Sequence, residues 1–292
     1  MDIGRIGIWT AQFDHQPWGA VAEAAAELDE LGYGALWFHE YHGREPLTQA
    51  ALLLSATPRI PVATGVAVIY ARDAMAMAGG QRTLCEAFPG RFLLGIGISH
   101  RPTVEGTRGH TYGPPLTEMR AYLNGMDEAP YDSPRVAEEP RVLATLGPKM
   151  LELARERAIG AHPYFVPVAH TERARQVLGA GPLLAPELAV VLERDPDTAR
   201  AIARRHTVPY LARENYTNNL RRLDYDDDDF ANGGSDRLVD AIVGWGSLEQ
   251  IVARVQEHRD AGADHVCLQV LPADPMAIPR REWRELAGAL LG

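Results

Sequence analysis

Apolar segments of strand length recur along the first third of the chain at nearly constant spacing. These segments begin at Gly4, Gly34, Pro61 and Arg91. About 30 residues separate one start from the next, which is the length of one strand and one crossover helix. Between the first two segments, residues 21–31 are apolar at helical spacing, and Gly32 supplies a C-terminal stop. The pattern predicts consecutive βα units and a parallel sheet.

The alternation continues with wider spacing. The later predicted strands cover residues 141–146, 158–166, 186–193 and 264–271. Helix starts are predicted at three N-caps, namely Asp73, Asp195 before Pro196, and Ser247 in a capping box with Gln250. Eight strands with helical crossovers predict an α/β fold of the (β/α)8 (TIM) barrel type.

Residues 198–245 depart from the period and predict a helical insertion between strands 7 and 8. Within it, the acidic run 226–229 is interpreted as a solvated surface. The irregular segment 213–234, with Tyr216 and Asn218, is the candidate substrate wall, with packing an equal alternative. A (β/α)8 barrel of this size forms one domain, so residues 1–292 are expected to be a single domain.

Composition restricts the class of protein. The net charge of −10 argues against general affinity for nucleic acid or anionic membrane. Cys85 and Cys267 are the only two cysteines, too few for a disulfide framework or a metal cluster. No apolar run reaches membrane-spanning length, and no basic leader precedes the first strand. The sequence therefore predicts a cytoplasmic protein whose partners are small molecules and not nucleic acid or membrane.

The fourth predicted strand, within residues 89–100, is apolar almost throughout, as expected for a strand buried on both faces. Gly95 and Gly97 would weaken an ordinary strand. Two glycines at this spacing suggest that a ligand or another backbone approaches closely, with tight packing against a helix as the alternative.

In a (β/α)8 barrel the active site lies at the carboxyl ends of the strands. This rule selects Gln12, His39, Glu40, His42, residues 67–70, Ser99, His100, residues 147–149, residues 162–165 and Gln269. Histidines 39 and 42 lack acidic partners on other strands, so a metal site is not expected. Nucleophile-elbow, Walker and dinucleotide-binding motifs do not occur in the required context.

Leu146, Gly147, Pro148 and Lys149 form the best phosphate-binding signal. A strand that runs into glycine and a proline-started helix presents free N–H groups, the positive end of the helix dipole and one lysine. An ordinary strand-to-helix turn is the alternative.

Several segments resemble the luciferase-like monooxygenase superfamily, and most closely its branch of oxidoreductases that use the deazaflavin coenzyme F420. The matching segments are residues 31–40, 62–67, 70–73, 90–100, 146–148, 160–164 and 261–269. They span nearly the whole chain, but no single segment distinguishes F420 from FMN.

The resemblance implies a bulge in the third strand, often with a non-proline cis peptide, that backs the cofactor ring at Gly65 and Val66. The implied cofactor-binding residues are Gly65, Val66, Ala67, Gly97, Ser99, His100, Leu146, Gly147, Pro148, His162, Pro163 and Tyr164. Glu40 matches a position at which relatives commonly carry Asp. The histidine that follows in relatives is replaced by Tyr41, between His39 and His42.

The resemblance implies hydride transfer between F420 and a small organic substrate, because a deazaflavin is a two-electron carrier that reacts poorly with oxygen. His39, Glu40 and His100 are the candidate catalytic residues, each for moving a proton. One alternative is an FMN-dependent monooxygenase on the same barrel. Another is a protein that binds flavin or deazaflavin without turnover. A homodimer is also implied, with the helices at 47–57 and 74–87 packing across it.

Overall fold

Eleven short parallel strands form one sheet at the centre of the protein. A computed structural model describes all residues, 1–292. In chain order the strands are β1 (Ile6–Thr10), β2 (Leu36–Phe38), β3 (Val62–Thr64), β4 (Ala67–Val68), β5 (Phe92–Gly97), β6 (Arg141–Ala144), β7 (Gly160–His162), β8 (Leu183–Leu184), β9 (Glu187–Val191), β10 (Val243–Trp245) and β11 (Val266–Val270).

The sheet closes into a barrel through residues 183–191. β8 pairs with β7, β9 pairs with β11, and β11 pairs with β1. Between β8 and β9, the Ala185 N–H donates to Ala161 O at 3.0 Å, and Pro186 O accepts the Cys267 N–H at 2.9 Å. Residues 183–191 thus act as one interrupted strand that joins both sides of the ring. This closure confirms the predicted (β/α)8 barrel.

Twelve α-helices surround the sheet. They are α1 (Trp18–Leu31), α2 (Pro46–Ala56), α3 (Ala74–Ala87), α4 (Pro115–Glu128), α5 (Pro148–Arg157), α6 (Val168–Leu178), α7 (Pro196–Leu211), α8 (Glu214–Arg221), α9 (Asp227–Phe230), α10 (Asp236–Ile242), α11 (Leu248–Asp260) and α12 (Arg280–Leu290). A π-helix, Pro102–Thr107, follows β5. No helix combines the length and the apolar content that crossing a membrane requires.

The predicted helix signals are confirmed. Gly32 ends α1 in the left-handed region, with a φ of 84°. Asp73 accepts the Ala76 N–H at 2.7 Å, and Asp195 caps α7. Ser247 and Gln250 form the expected capping box.

The third and the sixth predicted strands differ from the structure. The third is split into β3 and β4 by the bulge at Gly65 and Val66. The sixth ends at His162, four residues early, because Pro163 has no N–H to continue the ladder and Phe165 adopts a φ of 59°. The chain then enters α6, a helix that the sequence pattern did not predict.

The insertion between the seventh and eighth predicted strands, which correspond to β9 and β11, is helical as predicted and contains α7 to α10. It ends in an unpredicted strand, β10, which pairs with β9. The assignment of residues 226–229 to solvent was wrong at one end. Asp226 caps α9, and Asp229 is buried, where it accepts hydrogen bonds from Ser235 and Arg237. The carboxylates at both ends of the run therefore organise the backbone of the insertion.

The main core lies between the sheet and the outer helices, and a smaller cluster fills the barrel itself. The inner cluster includes Trp9, Trp37, Leu93, Val142 and Cys267, all at most 3% exposed. Because the barrel is filled with side chains, a ligand site can form only at its mouth, where the strands end.

Candidate functional site at the barrel mouth

The backbone between β3 and β4 forms the bulge at Gly65 and Val66. Their peptide bond is cis, as the resemblance implies. The Gly65 N–H donates to Phe38 O at 2.6 Å, and Trp9 Nε1 donates to Gly65 O at 3.1 Å. A Cβ on residue 65 would lie 2.5 Å from Trp9 Nε1 and 3.1 Å from His162 Nε2, so only glycine fits.

Gly95 and Gly97 accommodate this bulge. A Cβ at residue 95 would overlap the Thr64 carbonyl oxygen, and one at residue 97 would lie 2.6 Å from Val66 Cγ2 and 3.1 Å from Ala144 Cβ. The sequence signal for close approach thus corresponds to another segment of this chain, at Thr64 and Val66. A cofactor contact at Gly97 stays a prediction.

Glu40 holds the bulge in place. Its backbone N–H donates to Val66 O at 3.2 Å, and its carboxylate accepts the Val68 N–H at 2.7 Å. Arg72 donates to both carboxylate oxygens, at 2.6 and 3.0 Å, and Arg108 lies 3.6 Å away. This bidentate pairing gives Glu40 a positioning role at the mouth.

His39 forms a pair with Asp14, a residue that the sequence analysis did not select. His39 Nε2 donates to Asp14 Oδ2 at 3.2 Å, and the His39 side chain is 26% exposed at the mouth. Burial alone would raise the pKa of Asp14, but the hydrogen bond and charge of His39, together with Arg44, outweigh burial and lower it. Asp14 therefore orients the His39 ring.

His100 follows β5 after Ser99, which adopts a φ of 62°. His100 Nδ1 donates to Asn215 Oδ1 at 3.2 Å. Burial and the charge of Arg213 lower the pKa of His100 to about 4, against the opposing effect of Asn215. His100 is therefore a neutral imidazole at physiological pH, with Nε2 available as an acceptor.

Aromatic rings connect the two candidate histidines across the mouth. We call Trp9, Tyr164, Tyr210 and Tyr216 the aromatic wall. Centroid distances between successive rings of the wall are 5.1, 5.3 and 5.2 Å. His39 lies 5.3 Å from Trp9 at one end, and His100 lies 5.6 Å from Tyr216 at the other. The insertion contributes half of the wall.

Hydroxyl groups fix the centre of the wall. The Tyr164 hydroxyl donates to Gln269 Oε1 at 2.8 Å, and the Tyr210 hydroxyl lies 2.8 Å from that of Tyr164. Tyr216 is buried within the wall, whereas the Asn218 amide accepts from exposed Arg221. Of the two residues in the predicted substrate wall, only Tyr216 lies among the aromatic rings.

His162 lies inside the barrel, against Gly65. Its ring stacks on Trp37 with centroids 4.5 Å apart, and its Nδ1 donates to Ala185 O at 2.7 Å. Burial, reinforced by nearby His265 and opposed by the Ala185 hydrogen bond, lowers the pKa of His162 to about 4. Its Nε2 has no hydrogen-bond partner. His162 is thus a neutral residue that supports the bulge.

Three further predicted residues contribute through the backbone. Ala67 is buried in β4, paired with Ile96 of β5. Pro163 O accepts the Glu187 N–H at 2.9 Å. Pro148 is the first residue of α5, where the missing N–H costs nothing.

The Gly147 turn, residues 146–148, presents an open helix N-terminus. Gly147 is the N-cap of α5, and no side chain caps the helix. His170 Nε2 donates to Leu146 O at 2.9 Å and so holds the turn. Burial lowers the pKa of His170 to about 4, so this donor is neutral. Pro148 has no N–H, and the Met150 and Leu151 N–H groups donate to Gly147 O, so the turn offers an anion the Lys149 N–H and the positive end of the helix dipole.

Two arginines add positive charge beside the Gly147 turn. A Cβ on Gly147 would lie 3.8 Å from Arg222 Nη1, and Arg173 donates to Arg222 O. Arg173, Arg222 and Lys149 are exposed, and none forms an ion pair. Their charge is therefore uncompensated at the helix terminus, which is the environment that a phosphate group requires.

Sequence reasoning missed several residues of the mouth. Asp14, Tyr210 and Arg222 lie on segments that do not end a predicted strand. Trp9 and Glu187 lie within strands, on their inner face. Among these residues, only Trp9 could have been found from the sequence. Side chains alternate between the two faces along β1, so Trp9 lies on the same face of the strand as Gly7.

The sequence profile of the luciferase-like monooxygenase family matches residues 5–265 of the chain. The chain belongs to this family.

A protein of Mycobacterium tuberculosis, provisionally named as a coenzyme F420-dependent oxidoreductase, is 28% identical over 197 residues, or 56% of each chain. The match thus spans about half the length of that relative. An F420-dependent secondary alcohol dehydrogenase, solved with an F420-acetone adduct, has a TM-score of 0.75 at 14% identity, covering 97% of this chain and 96% of its own. A type II Baeyer-Villiger monooxygenase of Pseudomonas putida, solved with FMN, has a TM-score of 0.71 at 15% identity. The match covers 97% of this chain and 96% of that chain. Both structures show the shared fold.

Proposed function

We propose that the protein is an oxidoreductase that transfers a hydride between coenzyme F420 and a small organic substrate. The observation that carries the proposal is the arrangement of the mouth. A backbone bulge and an aromatic wall suit a planar ring, and the Gly147 turn with its unpaired arginines suits an anionic chain. The relatives named as F420-dependent support the same cofactor.

The residues present fit such a cofactor. Gly65 and Val66 would face the ring, because no side chain at residue 65 can intervene. The open N-terminus of α5 would receive the phosphate, with Arg222 beside it. Ser99, His100 and Tyr164 would line the groove between these two ends.

When bound, a deazaflavin supplies a ring carbon that donates or accepts a hydride. The chain must then orient the substrate, exclude water and move one proton. His39 Nδ1 is the favoured position for that proton, because Nε2 donates to Asp14, which orients the ring. His100 Nε2 is a second acceptor, and Glu40 maintains the bulge through its pairing with Arg72.

Removing His39 should separate proton transfer from cofactor binding. We expect His39→Ala to lower turnover about 100-fold, the usual size of a lost acid-base group. We expect a smaller loss in Glu40→Gln, and cofactor affinity should survive in both. His42→Ala, at an exposed neighbouring histidine, is the matched control. The assay follows F420 absorbance across a panel of alcohols, ketones and enones. Unchanged turnover in both variants would remove these residues from the mechanism.

The arginines near the Gly147 turn should contribute to affinity. We expect Arg173→Ala with Arg222→Ala to weaken F420 binding about 10-fold or more, because each loses a charge-assisted contact. Arg135→Ala is the control, because Arg135 is exposed, unpaired and located in the loop before β6, at the opposite end of the barrel. Equal affinity of both proteins, measured by fluorescence titration, would place the anionic chain elsewhere.

An FMN-dependent monooxygenase remains the second candidate, because a structural neighbour was solved with FMN. It predicts oxygen consumption when reduced FMN is supplied, whereas the F420 proposal predicts none above the uncatalysed rate. An oxygen electrode distinguishes the two.

We also propose a homodimer through α2 and α3. α2 carries no charged residue. Two large apolar side chains are exposed on these helices, Leu52 of α2 at 42% and Met75 of α3 at 57%. We expect Leu52→Asp to convert a dimer to a monomer in light scattering, because it buries an unpaired charge. Val208→Asp, at an exposed apolar position on α7, should leave the dimer intact. A monomeric unmodified chain would contradict the proposal.

A further inference from the structure

Glu187 is a carboxylic acid inside the barrel. It begins β9 in register with Cys267 of β11, a member of the inner cluster, and paired residues of parallel strands share a face. Glu187 is 1% exposed. None of the roles described above for the mouth uses its side chain.

Glu187 makes two hydrogen bonds that bracket Tyr164. Its N–H donates to Pro163 O at 2.9 Å, and its Oε2 accepts the Phe165 N–H at 3.0 Å. Phe165 stacks on Tyr210 with centroids 4.9 Å apart and also contacts Tyr216. Glu187 therefore fixes the turn 163–165, from which the centre of the aromatic wall projects.

No cation compensates this carboxyl group. Glu187 forms no ion pair, and its Oε1 has no hydrogen-bond partner. The titratable groups that face it are Tyr164 from the end of β7, Cys267 from β11, Tyr210 from α7 and Tyr216 from α8. All four are neutral at physiological pH. An unpaired buried carboxylate is costly, so the site favours the protonated acid.

The titration of this group agrees with its surroundings. Burial raises the pKa of Glu187 to about 8, and the Phe165 N–H opposes the increase only in part. Neutral Glu187 thus prevails at physiological pH, and the charged form appears under mildly alkaline conditions.

We propose that Glu187 is a positioning residue of the mouth, which as a neutral acid holds the turn 163–165. The Phe165 N–H also favours the carboxylate, but no cation pairs with that charge in the buried site, so on ionisation the side chain moves towards water, the turn is released and ligand affinity falls. The first part is independent of the cofactor. The second part, the loss of affinity, rests on the proposed function, since it takes F420 as the ligand.

The first experiment uses the protein without ligand. Infrared spectra of the wild type at neutral pH should contain the C=O band of a buried protonated carboxyl, and this band should disappear with a midpoint near pH 8. The aromatic near-ultraviolet circular dichroism should change with the same midpoint. Glu187→Gln, which keeps an acceptor for the Phe165 N–H, should lack both transitions. If that variant does not fold, Glu187→Asp should shift the band. A carboxyl band that is absent at neutral pH would overturn the proposal.

The second experiment measures F420 affinity on both sides of this midpoint. We expect the wild-type Kd to rise about 10-fold from neutral pH to about one unit above the midpoint, and the Kd of Glu187→Gln to stay constant. A dichroism change without a change in Kd would overturn the second part. If F420 binds at no pH, the proposed function fails, while the ligand-free spectra still decide the role of Glu187.

Discussion

Replacing Gly95 by Ala is expected to lower the free energy of unfolding by about 3 kcal/mol or more. The added Cβ would overlap the Thr64 carbonyl oxygen. The Thr64 hydroxyl also donates to Gly95 O at 2.7 Å and accepts the Gly95 N–H at 2.9 Å, so the two segments cannot move apart without losing hydrogen bonds. Denaturation with urea measures the loss.

Gly288→Ala is the matched control. Gly288 lies within α12 with no atom within 4 Å of an added Cβ. We expect this exposed helical substitution to stabilise the protein by about 0.5–1 kcal/mol. If Gly95→Ala were as stable as Gly288→Ala, the packing of the bulge against β5 would be wrong.

Glu187 should make stability fall as the pH rises. Its pKa is raised from 4.5 to about 8 by burial, so between these values the folded chain keeps a proton that the unfolded chain has lost. The stabilisation is fully present below about pH 4.5 and is lost as the pH passes about 8, with a total on the order of 5 kcal/mol. Glu187→Gln should remove this slope in thermal unfolding across the pH range.

Buried histidines produce the opposite dependence at acid pH. Burial lowers the pKa of His170 and His206 to about 4, so the stability that they contribute is lost as the pH falls below about 6.5. Below about pH 4.5, where Glu187 is protonated in both the folded and the unfolded chain, Glu187→Gln should leave this acid limb unchanged. Glu172→Gln, at an exposed residue of α6, should alter neither limb. An unchanged alkaline slope in Glu187→Gln would contradict a neutral Glu187.

The barrel could be predicted from the sequence because strand and helix alternate at nearly constant spacing. β10 could not, because Val243–Trp245 is only three residues long and directly follows α10. The early end of β7 depends on the φ of Phe165, which the Glu187 carboxyl stabilises from another strand. Such a contact between distant residues leaves no periodic signal.

The mouth was predictable where a residue follows a strand, as for His39, His100 and Tyr164. Their partners were not, since Asp14 lies 25 residues from His39 and Tyr210 lies 46 residues from Tyr164. Gly95 and Gly97 indicated close approach, but a glycine cannot specify whether a ligand or the chain itself fills the space. That distinction requires the position of Thr64 and Val66.

Parallel fluorescence titrations with F420 and FMN test the central claim most directly, that a tricyclic redox ring lies at the mouth with its anionic chain at the Gly147 turn. We predict saturable F420 binding with a Kd of about 1 μM or tighter, stronger than FMN binding and weakened by Arg173→Ala with Arg222→Ala. Binding of neither compound would contradict the claim, and preference for FMN would contradict the choice of deazaflavin.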